Sequence, residues 1–387
     1  MNKIMRISNI GLIIQILFFA SLSLNAQVPI EENSGAASHH DSLQLESATP
    51  IHPEQPSAEK FNAGKLIIEH ISDSHDWHIA GHFAVPLPII IYSKERGLDI
   101  FISSKFEHGH KTYKGYMLEN NHIKAVNELE TIDAHEATVN SILTENLWDI
   151  SITKNVTAMF VSIFIMLLVF ISVAKAYVKN TGKAPKGLQS LIEPLIIFVR
   201  DDIAKSAIGE KKFKKYLPFL LTVFFFIWIN NLLGLIPFAP FGANVTGNVA
   251  IGLTLAVIVF VITIVSANKN YWRHIIAMPG VPIGVLVLLT PIEIFGMFLK
   301  PFVLMIRLFA NMLAGHIIAL SFFSLIFIFA EMNVGLGFGV SILSIAFTVF
   351  MGMLELLVAF LQAYVFTLLA AMYFGSAVEE HHHEEVH

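Results

Sequence analysis

The sequence predicts an all-α polytopic membrane protein with five membrane-crossing helices, plus a small exported N-terminal region of β character. The last two helices are predicted to be long and tilted as a hairpin. The mean hydropathy is +0.64, and only 14% of the 387 residues are charged, whereas a soluble domain averages about 25%. The second half of the chain also contains uncharged runs that are long enough to cross a bilayer.

The first 26 residues have the pattern of an export signal peptide. Lys3 and Arg6 precede the apolar run IGLIIQILFFASLSL, and small residues around Ser23 and Ala26 offer a cleavage site. An uncleaved first membrane helix is the alternative. In both cases we expect the residues that follow to lie outside the cytoplasm.

Residues 27–60 have the polar, Pro- and Ser-bearing composition of a disordered linker. Residues 61–150 are predicted to form a small exported, periplasmic domain, in which FAVPLPIIIYS, GLDIFISSKF and KTYKGYMLE are short strands separated by turn residues. The composition therefore predicts β structure ahead of the membrane half.

Eleven of the seventeen histidines lie between residues 27 and 150, including His75, His78 and His82. Such a group could suggest a metal site, but its spacing matches no defined zinc motif. The chain also has no cysteine, which excludes thiolate metal ligands and disulfides. We therefore favour a polar surface or a His-lined entrance and predict no metal site.

The membrane domain is predicted to cover residues 151–378. It begins with the uncharged run 155–174, which has the ~20 residues that a spanning helix needs. Residues 175–215 follow with ten Lys/Arg against four Asp/Glu, so this loop is predicted to be cytoplasmic. Within it, LQSLIEPLIIFVRDDIAK is either a helix on the inner surface or a packed linker, and the sequence leaves both open.

Two further spans, 216–236 and 245–267, are separated by the Gly/Pro-rich stretch GLIPFAPFGAN. The last two stretches, 283–330 and 337–377, are separated by EMNVGLG, in which Gly335 and Gly337 predict a turn. Five crossings place the C-terminal tail, 379–387, in the cytoplasm, where EEHHHEEVH is expected to be a solvated polar segment.

The last two stretches are about twice the length that a bilayer requires. A helix of this length can tilt strongly or can break, and prolines at positions 282, 291 and 301 allow breaks.

Among the predicted spans, only these two stretches contain charged residues. Glu293, Lys300 and Arg307 are seven residues apart, so they share one helix face, and Asn311 joins them. On the second stretch, Glu355 and Gln362 are also seven apart. Intramembrane charges mark an ion pathway or an internal pair.

The hairpin places residues at equal distances from its turn at the same depth. His316 should therefore meet Glu355, whereas Arg307 should meet only the neutral Gln362. A guanidinium without a partner at mid-membrane is costly. We infer that its carboxylate comes from another subunit.

Three segments carry a resemblance to a known family. LKPFVLMIRLFANMLAGH, KKYLPFLLTVFFFIWINNLLGLIPF and ELLVAFLQAYVFTLLAAMYF resemble helices of subunit a of the membrane (Fo) sector of F-type ATP synthases. The resemblance covers about 155–378 and implies a non-catalytic, proton-translocating stator in the bacterial inner membrane. It implies a rotating c-subunit ring, the peripheral stalk (subunit b) and the rest of the synthase as partners.

The resemblance also implies roles for individual residues. Arg307 would face the ring's carboxylate and separate two aqueous half-channels, with Asn311 and Gln362 as its polar neighbours. Glu293 would belong to the cytoplasmic half-channel. Lys300 is a further pathway candidate on the same helix face.

His316 and Glu355 fall on the positions of the outer half-channel pair, where many bacterial relatives have the two residue types exchanged. An exchange keeps one imidazole and one carboxylate in contact, but it leaves open which of the two lies nearer the ring.

No Gly-rich GK[ST] phosphate loop is present, so we expect no nucleotide site and no cofactor in this chain. Its one strongly basic stretch lies between apolar spans, so we expect no nucleic-acid partner either. The coupling ion, proton or sodium, stays open, because the surroundings of the ring carboxylate would decide it.

Two alternative functions belong to other classes of protein. A ring-independent secondary transporter or ion channel would predict internal repeats, and the sequence shows no repeated half. A structural membrane anchor for the exported domain would use its charges only as internal pairs.

Overall fold

The computed structural model describes residues 62–80, 83–236, 241–276, 278 and 281–379. The predicted signal peptide (1–26), the predicted linker (27–60) and all but the first residue of the predicted tail (379–387) lie outside these residues, as does His82.

The described residues form a small strand-rich domain followed by a helical membrane domain. The strands are β1 (Asp76–Ala80), β2 (Phe83–Pro86), β3 (Pro88–Ser93), β4 (Gly97–Ile102), β5 (Tyr116–Glu119), β6 (His122–Ala125) and β7 (Leu147–Asp149). The helices are α1 (Ala63–Ile71), α2 (Ser141–Glu145), α3 (Lys154–Lys179), α4 (Leu188–Phe198), α5 (Ser206–Ile208), α6 (Phe213–Gly234), α7 (Val249–Ser266), α8 (Lys269–Ile276), α9 (Ile283–Met332) and α10 (Val334–Val378).

Five helices in the described part of the chain are long and apolar enough to cross a membrane, which confirms the predicted fold class. They are α3, α6, α7, α9 and α10. Each covers one of the predicted apolar runs, because an uncharged run of this length can satisfy its backbone polar groups in lipid only as a helix.

The two long helices are continuous. Pro291 and Pro301 lie inside α9 without ending it, and Pro282 is its N-cap. With 50 residues, α9 is ~75 Å long at ~1.5 Å per residue. Because the hydrocarbon core is only ~30 Å thick, a helix of this length has to tilt strongly.

The turn of the hairpin lies two residues before the glycine that was predicted to begin it. Asn333 alone separates α9 from α10, and its side chain accepts a hydrogen bond from the N–H of Gly335 at 2.7 Å. Gly335 and Gly337 are helical, so the predicted glycine turn is wrong. At position 337 an added Cβ would lie 2.8 Å from the Cα of Ala330. This glycine therefore lets the two helices approach closely just after the turn.

The segment between α3 and α6, for which the sequence left two possibilities open, is largely helical and packs in part against the membrane helices. A π-helical turn, Val199–Lys205, joins α4 to α5, and the side chains of Val199 and Ile203 are fully buried. The ring of Phe198 contacts those of Phe224, Phe360 and Tyr364, with centroid distances of 5.5–6.5 Å. The linker thus packs against α6 and α10.

The strand-rich domain has a three-stranded antiparallel sheet in the order β4-β3-β7, and two hairpins, β1-β2 and β5-β6. The predicted β character is confirmed, with differences in detail. Leu87 divides the run FAVPLPIIIYS into β2 and β3, and only the end of KTYKGYMLE forms a strand. The core of this domain includes the side chains of Ile89, Ile91, Phe101, Phe106 and Tyr116.

His75 is buried, with 4% of its surface exposed, so the predicted polar surface is wrong for this residue. Its Nε2 lies 3.3 Å from the Oδ2 of Asp149. Burial alone would raise the pKa of Asp149, but its hydrogen bonds with His75 and Ser151 hold that pKa below the usual range. Among the described residues, no group of three or more His, Asp or Glu side chains could hold a metal ion.

The segment just before β1 caps the first membrane helix. Both carboxylate oxygens of Asp73 accept hydrogen bonds, one from the Thr153 hydroxyl at 2.8 Å and one from the N–H of Asn155 at 3.0 Å. The N–H of Lys154 donates to the carbonyl of Ser74. These bonds satisfy N–H groups that a helix leaves unpaired at its N-terminus, so the domain and α3 are joined rigidly.

We expect Asp73→Ala to loosen this junction, because losing a side-chain cap costs about 1 kcal/mol. Hydrogen–deuterium exchange on a peptide covering residues 153–157 should become several-fold faster. Asp133→Ala is the matched control, since Asp133 precedes a short 3-10 helix without capping it through its side chain. Unchanged exchange in Asp73→Ala would show that the cap does not hold the junction.

Candidate functional site

Arg307 lies at the middle of α9, and its side chain is exposed. Its neighbours Leu304 and Leu308 are 1% exposed and pack into the membrane core. Val303 and Ile306, by contrast, are 45% and 43% exposed. The guanidinium therefore lies on an otherwise apolar outer face of the hairpin.

No Asp or Glu carboxylate of the described residues lies within 4.0 Å of the Arg307 guanidinium. Tyr373 on α10 is close enough to interact with it electrostatically. Asn311, one turn further along α9, is exposed as well. The described part of the chain thus supplies no carboxylate to the charge of Arg307.

Gln362 belongs to a buried line of hydrogen bonds directly behind this face. Its Nε2 donates to the carbonyl of Leu308 at 2.5 Å. Its Oε1 accepts from the Nδ2 of Asn231 at 3.1 Å. The Thr246 hydroxyl donates to the Oδ1 of the same asparagine at 2.5 Å. Gln362 is 3% exposed, and Asn231 and Thr246 are fully buried, so this line ties α10, α9, α6 and the loop after α6 together.

Glu355 and His316 lie at the same level of the hairpin. The Glu355 carboxylate packs against Gly315, where an added Cβ would lie 2.7 Å from its Oε1. His316 is 8% exposed, and its Nε2 is 4.0 Å from the Cβ position of Gly234, at the end of α6. The His316 imidazole is therefore buried towards α6, and the Glu355 carboxylate lies against Gly315, the residue next to His316.

Another set of polar residues lies nearer the N-terminal end of α9. The Nζ of Lys300 is 5.5 Å from the ring centroid of Tyr373, over its face. Lys300 and Tyr373 line a small cavity together with Tyr271 and Thr263. Glu293 is partly buried and interacts electrostatically with Tyr271. Glu293 and Lys300 form no ion pair with each other within 4.0 Å.

The structure thus separates the predicted residues into three groups along the hairpin. At the middle, Arg307 and Asn311 are exposed and Gln362 is hydrogen-bonded behind them. His316 and Glu355 lie towards the hairpin turn, and Glu293 and Lys300 lie towards the opposite end. Sequence reasoning missed four polar partners: Asn231, Thr246, Tyr271 and Tyr373. The pair Asn230-Asn231 inside an otherwise uncharged span was the available signal, because polar side chains there need a partner.

The family described as ATP synthase A chain matches residues 156–375. The chain belongs to this family. ATP synthase subunit a of Chloroherpeton thalassium is 42% identical over 247 residues, which are 62% of this chain and 71% of the relative. ATP synthase subunit a 2 of Chlorobaculum tepidum is 48% identical over 237 residues, 59% of this chain and 64% of the relative.

One relative matches nearly the whole chain. ATP synthase subunit a 2 of Chlorobium luteolum is 34% identical over 372 residues, 92% of this chain and 91% of the relative. A second family, described as Domain of unknown function (DUF8433), matches residues 66–150. In this member of the ATP synthase A chain family, the membrane helices therefore follow a domain that matches a separate family. The predicted family is confirmed.

We expect the bond between Asn231 and Gln362 to contribute to stability. In a double-mutant cycle of Asn231→Leu and Gln362→Leu, the coupling free energy should be about 0.6 kcal/mol, the average for interhelical hydrogen bonds in a membrane protein, and at most about 1.7 kcal/mol. It can be measured by unfolding in mixed micelles.

A cycle of Asn231→Leu and Ser321→Ala is the control, because the Ser321 hydroxyl bonds only to the carbonyl of Ile317 in its own helix. Distant sites without shared partners should be additive. Additivity in the Asn231 and Gln362 cycle would mean that this bond is energetically neutral.

Proposed function

We propose that this chain is the proton-translocating stator subunit of an F-type ATP synthase, with Arg307 facing a carboxylate of a rotating c-subunit ring. The observation that carries the proposal is the exposure of Arg307 on an apolar face, without a carboxylate of the described residues within ion-pair distance. A charge in this position is costly in a membrane unless a partner offsets it. Membership in the ATP synthase A chain family makes the ring the natural source of that partner.

Arginine suits this role because its guanidinium remains protonated even when partly desolvated. Opposite it, a ring carboxylate is favoured in the ionised form. A carboxylate therefore passes Arg307 only after releasing its proton, and it can bind a proton again on the other side. This alternation prevents protons from crossing directly between the two half-channels.

His316 and Glu355 are proposed to belong to the half-channel on the side of the hairpin turn. An imidazole titrates near neutral pH, so it can accept and release protons under ordinary conditions. The pair lies nine residues along α9 from Arg307, a rise of ~13 Å at ~1.5 Å per residue. Glu293, together with Lys300, is proposed to belong to the opposite half-channel.

Hydrogen bonding positions the charge between these half-channels. Gln362 holds the carbonyl of Leu308, the residue next to Arg307, so the backbone that carries the guanidinium is fixed while the side chain remains exposed. Each charge that crosses 100 mV supplies only ~2.3 kcal/mol, so several translocations are needed for each ATP. A leak past Arg307 would therefore reduce the yield directly.

The orientation follows from the charges of the loops. Residues 175–215, from the end of α3 to the start of α6, hold ten of the basic residues of the membrane half, so we place this segment in the cytoplasm. The strand-rich domain then lies on the periplasmic side of a bacterial inner membrane, and the end of α10 lies on the cytoplasmic side. We propose the peripheral stalk, subunit b, as a second neighbour in the complex.

The first test compares wild type with Arg307→Ala in inverted vesicles that contain the assembled complex. Losing a charge-assisted contact worth about 1.5–3 kcal/mol should reduce ATP-driven acidification by at least about tenfold. Passive proton flux after removal of the soluble head should rise, because the two half-channels are no longer separated.

Arg273→Ala is the control for a lost positive charge, since Arg273 lies on α8 outside the membrane spans. Immunoblots of the complex should show normal assembly for both variants. Intact pumping by Arg307→Ala would contradict the proposal and favour a structural charge. If pumping depended on sodium, the coupling ion would be sodium and not the proton.

A second test exchanges the residues of the turn-side pair. His316→Glu and Glu355→His alone should each reduce pumping by about tenfold or more, a barrier increase of at least about 1.4 kcal/mol. The double exchange restores one imidazole and one carboxylate, so it should recover much of the rate. A double variant no better than either single variant would show that the two residues do not act as a pair.

A further inference from the structure

The outer face of the three-stranded sheet is apolar, and the described residues leave it uncovered. It consists of alternate residues of the strands, and we call it the apolar sheet face: Pro88, Ile90, Tyr92, Leu98, Ile100, Ile102 and Trp148. Leu98 and Ile100 are each 60% exposed, and Trp148 is 46% exposed. The strand register pairs Tyr92 with both Leu98 and Trp148, and Ile90 with Ile100. The seven side chains therefore form one continuous surface.

The exposed side of this sheet departs from the usual pattern of a sheet with one covered side. In such sheets the core side is apolar and the exposed side is polar. Here Asp99 and Asp149 both pair with Ile91, whose side chain is fully buried, so the acidic residues share the core side. A contiguous apolar surface that remains exposed marks a site of interaction with a protein or a membrane.

The apolar sheet face is held close to the start of the first membrane helix. Trp148 precedes Lys154, the first residue of α3, by six positions, which is at most ~20 Å of extended chain. The connection is fixed by the bonds of Asp73 to Thr153 and Asn155. The N–H groups of Ile150 and Ile152 also donate to carbonyls of β3. The sheet therefore cannot move freely away from the membrane boundary.

The chemistry of the face matches the interfacial region of a bilayer. Tyrosine and tryptophan are enriched at that level, because their rings combine an apolar body with a polar group. The other five side chains are aliphatic, and none of the charged residues of the three strands points to this side. A specific protein interface would be expected to surround its apolar core with a polar, hydrogen-bonding rim.

We propose that the apolar sheet face rests on the membrane surface, in contact with the headgroup and upper acyl region of the lipid bilayer. The strand-rich domain then has two attachments to the membrane, the capped start of α3 and this face. Lipid contact fixes the tilt of the domain relative to the membrane helices. It also covers the apolar area that the chain leaves exposed.

The test uses nitroxide labels, since the chain has no cysteine and each label can be attached at a single introduced site. Leu98→Cys and Ile100→Cys place labels on the apolar sheet face. Ile142→Cys on α2 is the matched control, because Ile142 is 73% exposed and lies on a different part of the same domain. The full chain is reconstituted into lipid vesicles, alone and as the assembled complex.

Electron paramagnetic resonance then compares collisions of each label with oxygen, which partitions into lipid, and with a water-soluble nickel complex. We expect labels at positions 98 and 100 to have an oxygen-to-nickel ratio several-fold above that of the control, in both samples. Free access of the nickel complex to positions 98 and 100 would overturn the proposal. Shielding from both reagents would overturn it as well, because a protein segment would then cover the face.

Discussion

The buried hydrogen bonds through Gln362 are the interaction on which the membrane half depends. Side-chain amides in an apolar medium have to find partners within the protein. Asn231 and Thr246 supply them from α6 and from the loop after it, and Leu308 supplies a carbonyl from α9. A single line of bonds therefore fixes the relative positions of four segments at the level of Arg307.

In this arrangement, buried residues hold the backbone at Arg307 in place, and the guanidinium itself remains exposed. Gln362 and Asn231, behind Arg307, are buried and hydrogen-bonded, whereas the face on which Arg307 lies is exposed. The burial of the helices shows the same division, since half of the most apolar part of α6 is buried but only 11% of that of α10. On the proposed function, the poorly buried hairpin is the surface that a ring would cover.

Length and charge were sufficient to predict the five membrane helices, because an uncharged run in lipid has few alternatives to a helix. They could not locate the hairpin turn. Glycines usually mark turns, but here Asn333 makes the turn and Gly337 provides close packing against Ala330.

The level of residues across the hairpin was predictable from the antiparallel geometry. The contact of Glu355 with Gly315 and the bond from Gln362 to Leu308 have the expected register. Tyr271 and Tyr373 could not be predicted in the same way, because nothing in a single sequence shows that α8 packs beside α10. The short strands β6 and β7 were missed for a related reason, since only their pairing partners make them strands.

The apolar sheet face relates the strand-rich domain to the membrane domain. The strand sequences PIIIYS and GLDIFI are almost uniformly apolar, a pattern typical of strands that are buried on both sides. Within the described residues, only the side of Ile89, Ile91 and Phe101 is covered. The rigid cap at the start of α3 keeps the other side at the membrane boundary. A bilayer can therefore supply the second cover, and the domain needs no additional layer of its own.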